Sequence, residues 1–117
     1  MPGLSIHVID VSRGVPAAGM RVELRALDAL GTILGDAVVG ASGALPLPEL
    51  ATRSMPVGRY EAVFHVADWY RAQGVAVPVP GFLDIVPFHF GIADPSQHYH
   101  LPMKITPWGF SLFRGGA

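Results

Sequence analysis

The sequence predicts an all-β sandwich, and three observations predict it. Alternation of apolar and polar residues recurs in many short segments. Gly and Pro, 14 and 11 in number, punctuate the whole chain. Half of the 117 residues are hydrophobic and only 15% are charged. Period-two alternation between turn formers is the pattern of packed antiparallel sheets. A chain of this length is expected to form one domain, residues 1–117, with a single modest core. Its charged fraction lies below the roughly 25% of an average domain. Apolar surface is therefore in surplus, and an interface between subunits is the simplest place to hide it.

The elements follow in order. In residues 4–10, Leu4, Ile6 and Val8 share one face while Ser5 and His7 share the other. In residues 20–27, Met20, Val22 and Leu24 alternate with Arg21, Glu23 and Arg25. Residues 32–39 fit a strand less well. In residues 59–66, Tyr60, Ala62, Phe64 and Val66 alternate with Arg59, Glu61 and His65. Further strands are expected over 86–93, 98–105 and 108–114. One short helix fits between them, with Asp68 as its cap, residues 69–73 as its body and Gly74 as its stop. Residues 75–87, with Pro78, Pro80 and Pro87, read as an extended loop or edge. Asp94-Pro95-Ser96 reads as a turn, which makes Asp94 a turn former.

Composition excludes several functions. The net charge is −1 with histidine neutral, so nothing draws in phosphate backbones or anionic lipid, and neither nucleic acid nor membrane is an expected partner. There is no cysteine, hence no disulfide framework and no thiolate chemistry. The opening residues lack the basic segment and apolar run of a signal peptide. No apolar stretch reaches the ~20 residues needed to span a bilayer. Together these point to the cytoplasm. Glu23, Glu49 and Glu61 show no partner carboxylate, and there is no phosphate-binding glycine loop or serine elbow.

Five histidines remain: His7, His65, His89, His98 and His100. His98 and His100 are two apart on one strand, so they share a face with α-carbons ~7 Å apart. His7 lies opposite the apolar face of its own strand. If these polar faces meet, two or three imidazoles converge. Such a cluster suits general acid–base work or zinc binding. Spacing alone decides between neither, nor against a solvated pair. His65 and His89 are expected at the surface. Residues 108–117 stay apolar to the end of the chain, which suggests that the tail packs into something.

Two segments carry a resemblance. One is His7-Val-Ile-Asp-Val-Ser-Arg-Gly-Val-Pro-Ala17. The other is Asp94-Pro-Ser-Gln-His-Tyr-His-Leu-Pro102, followed by Thr106-Pro-Trp-Gly-Phe-Ser111. Together with Val57-Gly58-Arg59-Tyr60 they resemble the 5-hydroxyisourate hydrolases of the transthyretin-like (prealbumin) family over nearly the whole chain. The resemblance implies a sandwich of two four-stranded sheets with one short helix, and a homotetramer built as a dimer of dimers. It places active sites in the channel between dimers. His7, His100 and Arg114 take the catalytic positions. Ala44, Lys104, Ser111, Phe113, Gly115 and Gly116 take the substrate-binding ones. The two histidines would activate water against a ring amide carbonyl of a purine-derived small molecule. No cofactor and no metal are implied, and His98 becomes structural.

The chain also departs from that pattern. Ala44, in Gly40-Ala-Ser-Gly-Ala44, stands where the resemblance implies an arginine. The expected Tyr-Arg-Gly-Ser ending is Phe113-Arg114-Gly115-Gly116 followed by Ala117. Trp108 and Phe110 replace tyrosines, Leu112 a threonine, and Lys104 a leucine. A guanidinium and several hydroxyls are lost. A point charge does not reproduce a bidentate arginine, yet Lys104 restores one cation near His100. Three functions are therefore expected to compete. They are hydrolysis of 5-hydroxyisourate in urate catabolism, hydrolysis of an N-methylated analogue from methylxanthine breakdown, and non-enzymatic binding of a small molecule. Retention of His7 and His100 argues against the third.

Overall fold

The computed structural model describes residues 2–28 and 30–116; Ala117, the extra residue of the tail, lies outside them. Eight strands and one helix run in the order β1 (Gly3–Asp10), β2 (Val15–Pro16), β3 (Arg21–Ala26), β4 (Ile33–Val38), β5 (Gly58–His65), α1 (Val66–Ala72), β6 (Ile85–Ile92), β7 (His98–Thr106) and β8 (Gly109–Leu112). They form two four-stranded sheets, ordered β2-β1-β7-β8 and β4-β3-β5-β6. This is the expected transthyretin-like sandwich. Pairing is antiparallel except for β1 and β7, which run parallel along their whole length. That pair joins the two ends of the chain.

Alternation decides which side chains enter the core. Leu4, Ile6 and Val8 of β1 and Tyr99, Leu101, Met103 and Ile105 of β7 face Val22, Leu24, Tyr60, Ala62 and Phe64 of the other sheet, all buried. Asp10 is the exception, a fully buried carboxylate at the inward end of β1. Its oxygens accept hydrogen bonds from Ser12 N and Oγ, Arg13 Nε at 2.8 Å and Tyr70 Oη at 2.8 Å. A buried charge requires such pairing. The network ties β1 to α1, and Arg13 lies over the Trp69 ring as well.

Three details differ from expectation. The helix begins at Val66, not after Asp68, and His65 occupies its cap position without a side-chain cap. The alternation of β5 runs on into Val66, which hides the boundary. The amides of Val66 and Ala67 both donate to the Asp84 carbonyl, so no local cap is needed. Gly74 does stop the helix, at φ 77°, with Val75 N bonded back to Tyr70 O and Gly74 N to Arg71 O. Strand β2 was not expected: it is two residues long, contains a proline, and shows no alternation. The last strand is shorter than 108–114, because Trp108 belongs to the turn that precedes it.

Candidate active site

The outward face of the first sheet carries the odd residues of β1 and the even residues of β7. Parallel pairing sets Ser5 beside His100, His7 beside Pro102 and Ile9 beside Lys104. His7 and His100 are therefore diagonal neighbours on adjacent strands, roughly 7–8 Å apart at the backbone. His98 completes the row. The two polar faces do meet, and three imidazoles converge where the sequence placed them.

Each ring is held by neutral partners. Ser5 Oγ lies 2.7 Å from His100 Nδ1 and 2.8 Å from His98 Nε2. His7 Nε2 donates to the Ser42 carbonyl at 2.9 Å, which leaves Nδ1 for water or substrate. Strand positions on this face hold no carboxylate. Burial, and then the His7 and His98 rings, hold the His100 imidazole below the ordinary histidine value of 6.5, against a smaller upward pull from a hydrogen bond at Ser5. A ring so placed is neutral at neutral pH, with Nε2 facing no protein partner among the described residues. It is suited to take a proton.

The loop at residues 40–44 hangs on β1. Val8 N bonds to Gly43 O, Leu45 N to Ile6 O, and Ala44 bridges to His7. Gly43 has φ 95°, and a β-carbon there would sit 2.7 Å from His7 Nε2. Only glycine fits both the backbone and the imidazole. Ala44 is exposed next to His7, so the position marked by the missing arginine does border the cluster.

The tail continues the ladder of β8. Met103 pairs with Leu112, and three residues on in the same register His100 bridges to Gly115, whose N–H bonds to the His100 carbonyl at 2.8 Å. Pro102 interrupts the ladder between them, since it has no N–H to give Phe113. A β-carbon on Gly115 would lie 3.0 Å from Pro102 Cγ and 3.4 Å from His100 Cδ2, so the tail passes close over the histidine. Lys104 lies opposite Ser111, with its Nζ 5.6 Å from the centre of the Phe113 ring. The structure thus gathers His7, His100, Ala44, Lys104, Ser111, Phe113 and Gly115.

Arg114 is not among them. Its guanidinium stacks 4.0 Å over the Tyr99 ring and donates to Gln97 Oε1 and the His98 carbonyl. Alternation turns it toward the edge of the sandwich, where Tyr99 lies, and away from the imidazoles. In the single chain it anchors the tail. Gly116 is exposed, and a β-carbon on it would meet nothing within 4 Å. Asp94 is the turn former expected, bonded to Ser96 N and Oγ. His65 and His89 sit on the other sheet beside Glu23 and Glu61. Ser5 and Ser42 were missed as partners. Ser5 shares the His7 alternation, but only the parallel register shows that it lies beside His100. No group of three or more metal-ligating side chains among the described residues is arranged to hold an ion.

The model of the HIUase/Transthyretin family matches residues 4–115. A 5-hydroxyisourate hydrolase of Deinococcus radiodurans is 44% identical over 115 residues, covering 97% of this chain and 96% of that protein. The structure of Klebsiella pneumoniae 5-hydroxyisourate hydrolase superposes with a TM-score of 0.79 at 30% identity, over 99% of this chain and 100% of that one. An (S)-allantoin synthase structure superposes with a TM-score of 0.89 at 35% identity; the match covers 97% of this chain but 43% of that longer one.

Proposed function

Since the chain belongs to the HIUase/transthyretin family, we propose that it is a cyclic amide hydrolase that opens the ring of 5-hydroxyisourate in urate catabolism. His100 Nε2 takes a proton from water, and the resulting hydroxide attacks a ring amide carbonyl. His7, with Nε2 committed to Ser42, presents Nδ1 to the water or the substrate. The carrying observation is the pair itself: two imidazoles on adjacent parallel strands, facing one way, with neutral partners only. Lys104 supplies the positive charge that Ala44 lacks, and holds a polar oxygen of the ring.

Freshly generated 5-hydroxyisourate, followed by its loss of ultraviolet absorbance, tests this reading. Wild-type protein is expected to accelerate ring opening, and His100→Ala to lower kcat by about 10²–10⁴-fold. Lys104→Met is expected to raise KM by about two- to fivefold, the loss of one surface-exposed charge contact. Equal turnover by wild type and His100→Ala would overturn the assignment. Unchanged kinetics in Lys104→Met would remove the compensating role.

One observation favours a second substrate. Beside His7 stands a methyl group at Ala44, and Phe113 lies under Lys104. These apolar surfaces suit an N-methylated hydroxyisourate, whose methylated nitrogen has no hydrogen to donate. A higher kcat/KM on the methylated ring than on the parent would establish that preference.

The enzyme acts in the cytoplasm as a homotetramer, a dimer of dimers, with the imidazole face lining a channel between subunits. Exposed apolar side chains support this: Trp108 is 62% exposed, and Phe110 and Phe113 are each 47% exposed, along the β8 edge. No helix among the described residues is long and apolar enough to cross a membrane. Sedimentation equilibrium is expected to give four chains per particle; a monomer would contradict the channel.

A further inference from the structure

Ser5 has one hydroxyl proton and two imidazole neighbours. Its oxygen lies 2.7 Å from His100 Nδ1 and 2.8 Å from His98 Nε2. A hydroxyl donates once and accepts otherwise. At most one of these nitrogens can receive the Ser5 proton, so at least one must supply its own.

The direction is set at the far end of the row. His98 Nδ1 faces the Pro2 carbonyl at 3.4 Å, and a carbonyl only accepts. With its proton on Nδ1, a neutral His98 has a bare Nε2, which takes the Ser5 proton. The Ser5 oxygen then accepts from His100 Nδ1–H. His100 Nε2 is left bare, and that is the atom a general base uses.

We infer that Ser5 is a positioning residue that holds His100 in the tautomer protonated on Nδ1, through a hydrogen-bond direction passed from the Pro2 carbonyl by way of His98. The elements are rigid ones. Ser5 and His100 are paired residues on adjacent strands, and His98 is fixed two positions along the same strand. Positions on strands hold such geometry better than loops do. The arrangement also suits the step that follows. As a water O–H bond breaks, its proton goes to His100 Nε2 and its oxygen bonds to the ring carbonyl carbon. The imidazolium so formed still donates Nδ1–H to Ser5. Its new proton later passes to the ring nitrogen as the C–N bond breaks. His98, read from sequence as structural, becomes the residue that sets the direction.

The inference uses the proposed function only in naming His100 as the base; the tautomer belongs to the resting protein. Ring ¹⁵N chemical shifts of neutral His100, in protein labelled on histidine, read it directly. Wild type is expected to show the Nδ1–H form, and Ser5→Ala a shift toward Nε2–H. In Ser5→Ala, kcat is expected to fall about 10- to 100-fold, the usual effect of removing an orienting partner, with KM little changed. Ser5→Thr keeps the hydroxyl and is expected to restore both the spectrum and kcat. Wild-type His100 in the Nε2–H form would overturn the inference, and so would Ser5→Ala with full kcat. If Ser5→Ala does not fold, the wild-type and Ser5→Thr spectra still decide. Full activity in His100→Ala, assayed alongside, would instead overturn the base assignment and leave the tautomer to the spectra.

Discussion

On the outward face of the second sheet, His65 Nε2 lies 2.7 Å from Glu23 Oε1 and His89 Nε2 lies 2.9 Å from Glu61 Oε2. Arg21 grips Asp36 through two hydrogen bonds, and Arg25 sits 3.5 Å from Glu61. On the outward face of the first sheet, the partners of His7, His98 and His100 are a serine hydroxyl and main-chain carbonyls. The residue type is the same on both, and on both it stands on the outward face of a strand. What differs is the partner. A carboxylate on Nε2 occupies the nitrogen that would otherwise accept a proton. A hydroxyl on Nδ1 leaves Nε2 bare and adds no charge. On the proposed reading, reactivity is set by the absence of acids as much as by the presence of bases.

The largest effect is expected away from both faces, and it separates loss of site from loss of fold. Asp10→Ala removes a buried charge and strands Arg13, Ser12 and Tyr70. Each buried group left without its partner commonly costs about 1–3 kcal/mol, read from urea denaturation. Burial alone would raise the Asp10 carboxyl, but hydrogen bonds from Ser12, Arg13 and Tyr70 together outweigh it and hold it below the ordinary aspartate value of 3.8. A depressed folded value stabilises the fold above the unfolded pKa. That contribution is complete above 3.8 and is lost as pH falls through the folded value. Denaturation of Asp10→Ala should therefore be flatter in acid than that of wild type.

Next in size is a matched pair of glycine substitutions, one in the loop over His7 and one on the second sheet. Gly43→Ala puts a β-carbon 2.7 Å from His7 Nε2 at a positive φ, whereas Gly58→Ala meets nothing within 4 Å. Displacement of a reacting group by about 1 Å costs on the order of 100-fold in rate. Gly43→Ala should lose about that much kcat, and Gly58→Ala should keep wild-type turnover. Equal losses in the two variants would mean that the loop over His7 has no special part.

A smaller effect is expected in the pH profile. The base proposed at His100 works when neutral, and burial with two neighbouring imidazoles keeps that ring below 6.5. Activity should therefore rise with pH and reach half its plateau below 6.5, as kcat/KM measured across the acid range will show. A midpoint above that value would mean that a negative charge reaches the ring.

Much of this contrast was legible in the sequence. Alternation alone put His7, His98 and His100 on outward faces, because a period of two leaves no other choice once Leu4, Ile6, Val8, Tyr99 and Leu101 are buried. Neighbourhood was not legible. That Ser5 sits beside His100, ninety-five positions away, depends on a parallel register that no local pattern carries. Arg114 followed the resemblance to the site, yet Tyr99 and Gln97 hold it at the sheet edge, a contact between the tail and the start of β7. The helix start was hidden because its free amides are satisfied by Asp84, eighteen positions from Val66, and not by a local cap.

The smallest effect is a predicted null on the second sheet. His89 is 64% exposed and its contact with Glu61 is open to water, so screening and side-chain entropy leave such a pair worth at most about 1 kcal/mol. His89→Ala should change stability by less than that in urea denaturation and leave kcat and KM as they are. It also removes an imidazole of the same kind, likewise on an outward strand face, as the one on which turnover is proposed to depend. If His89→Ala instead lowered kcat, a carboxylate partner would not disarm a histidine. The difference between the two faces would then have to lie in what each one packs against in the assembled particle.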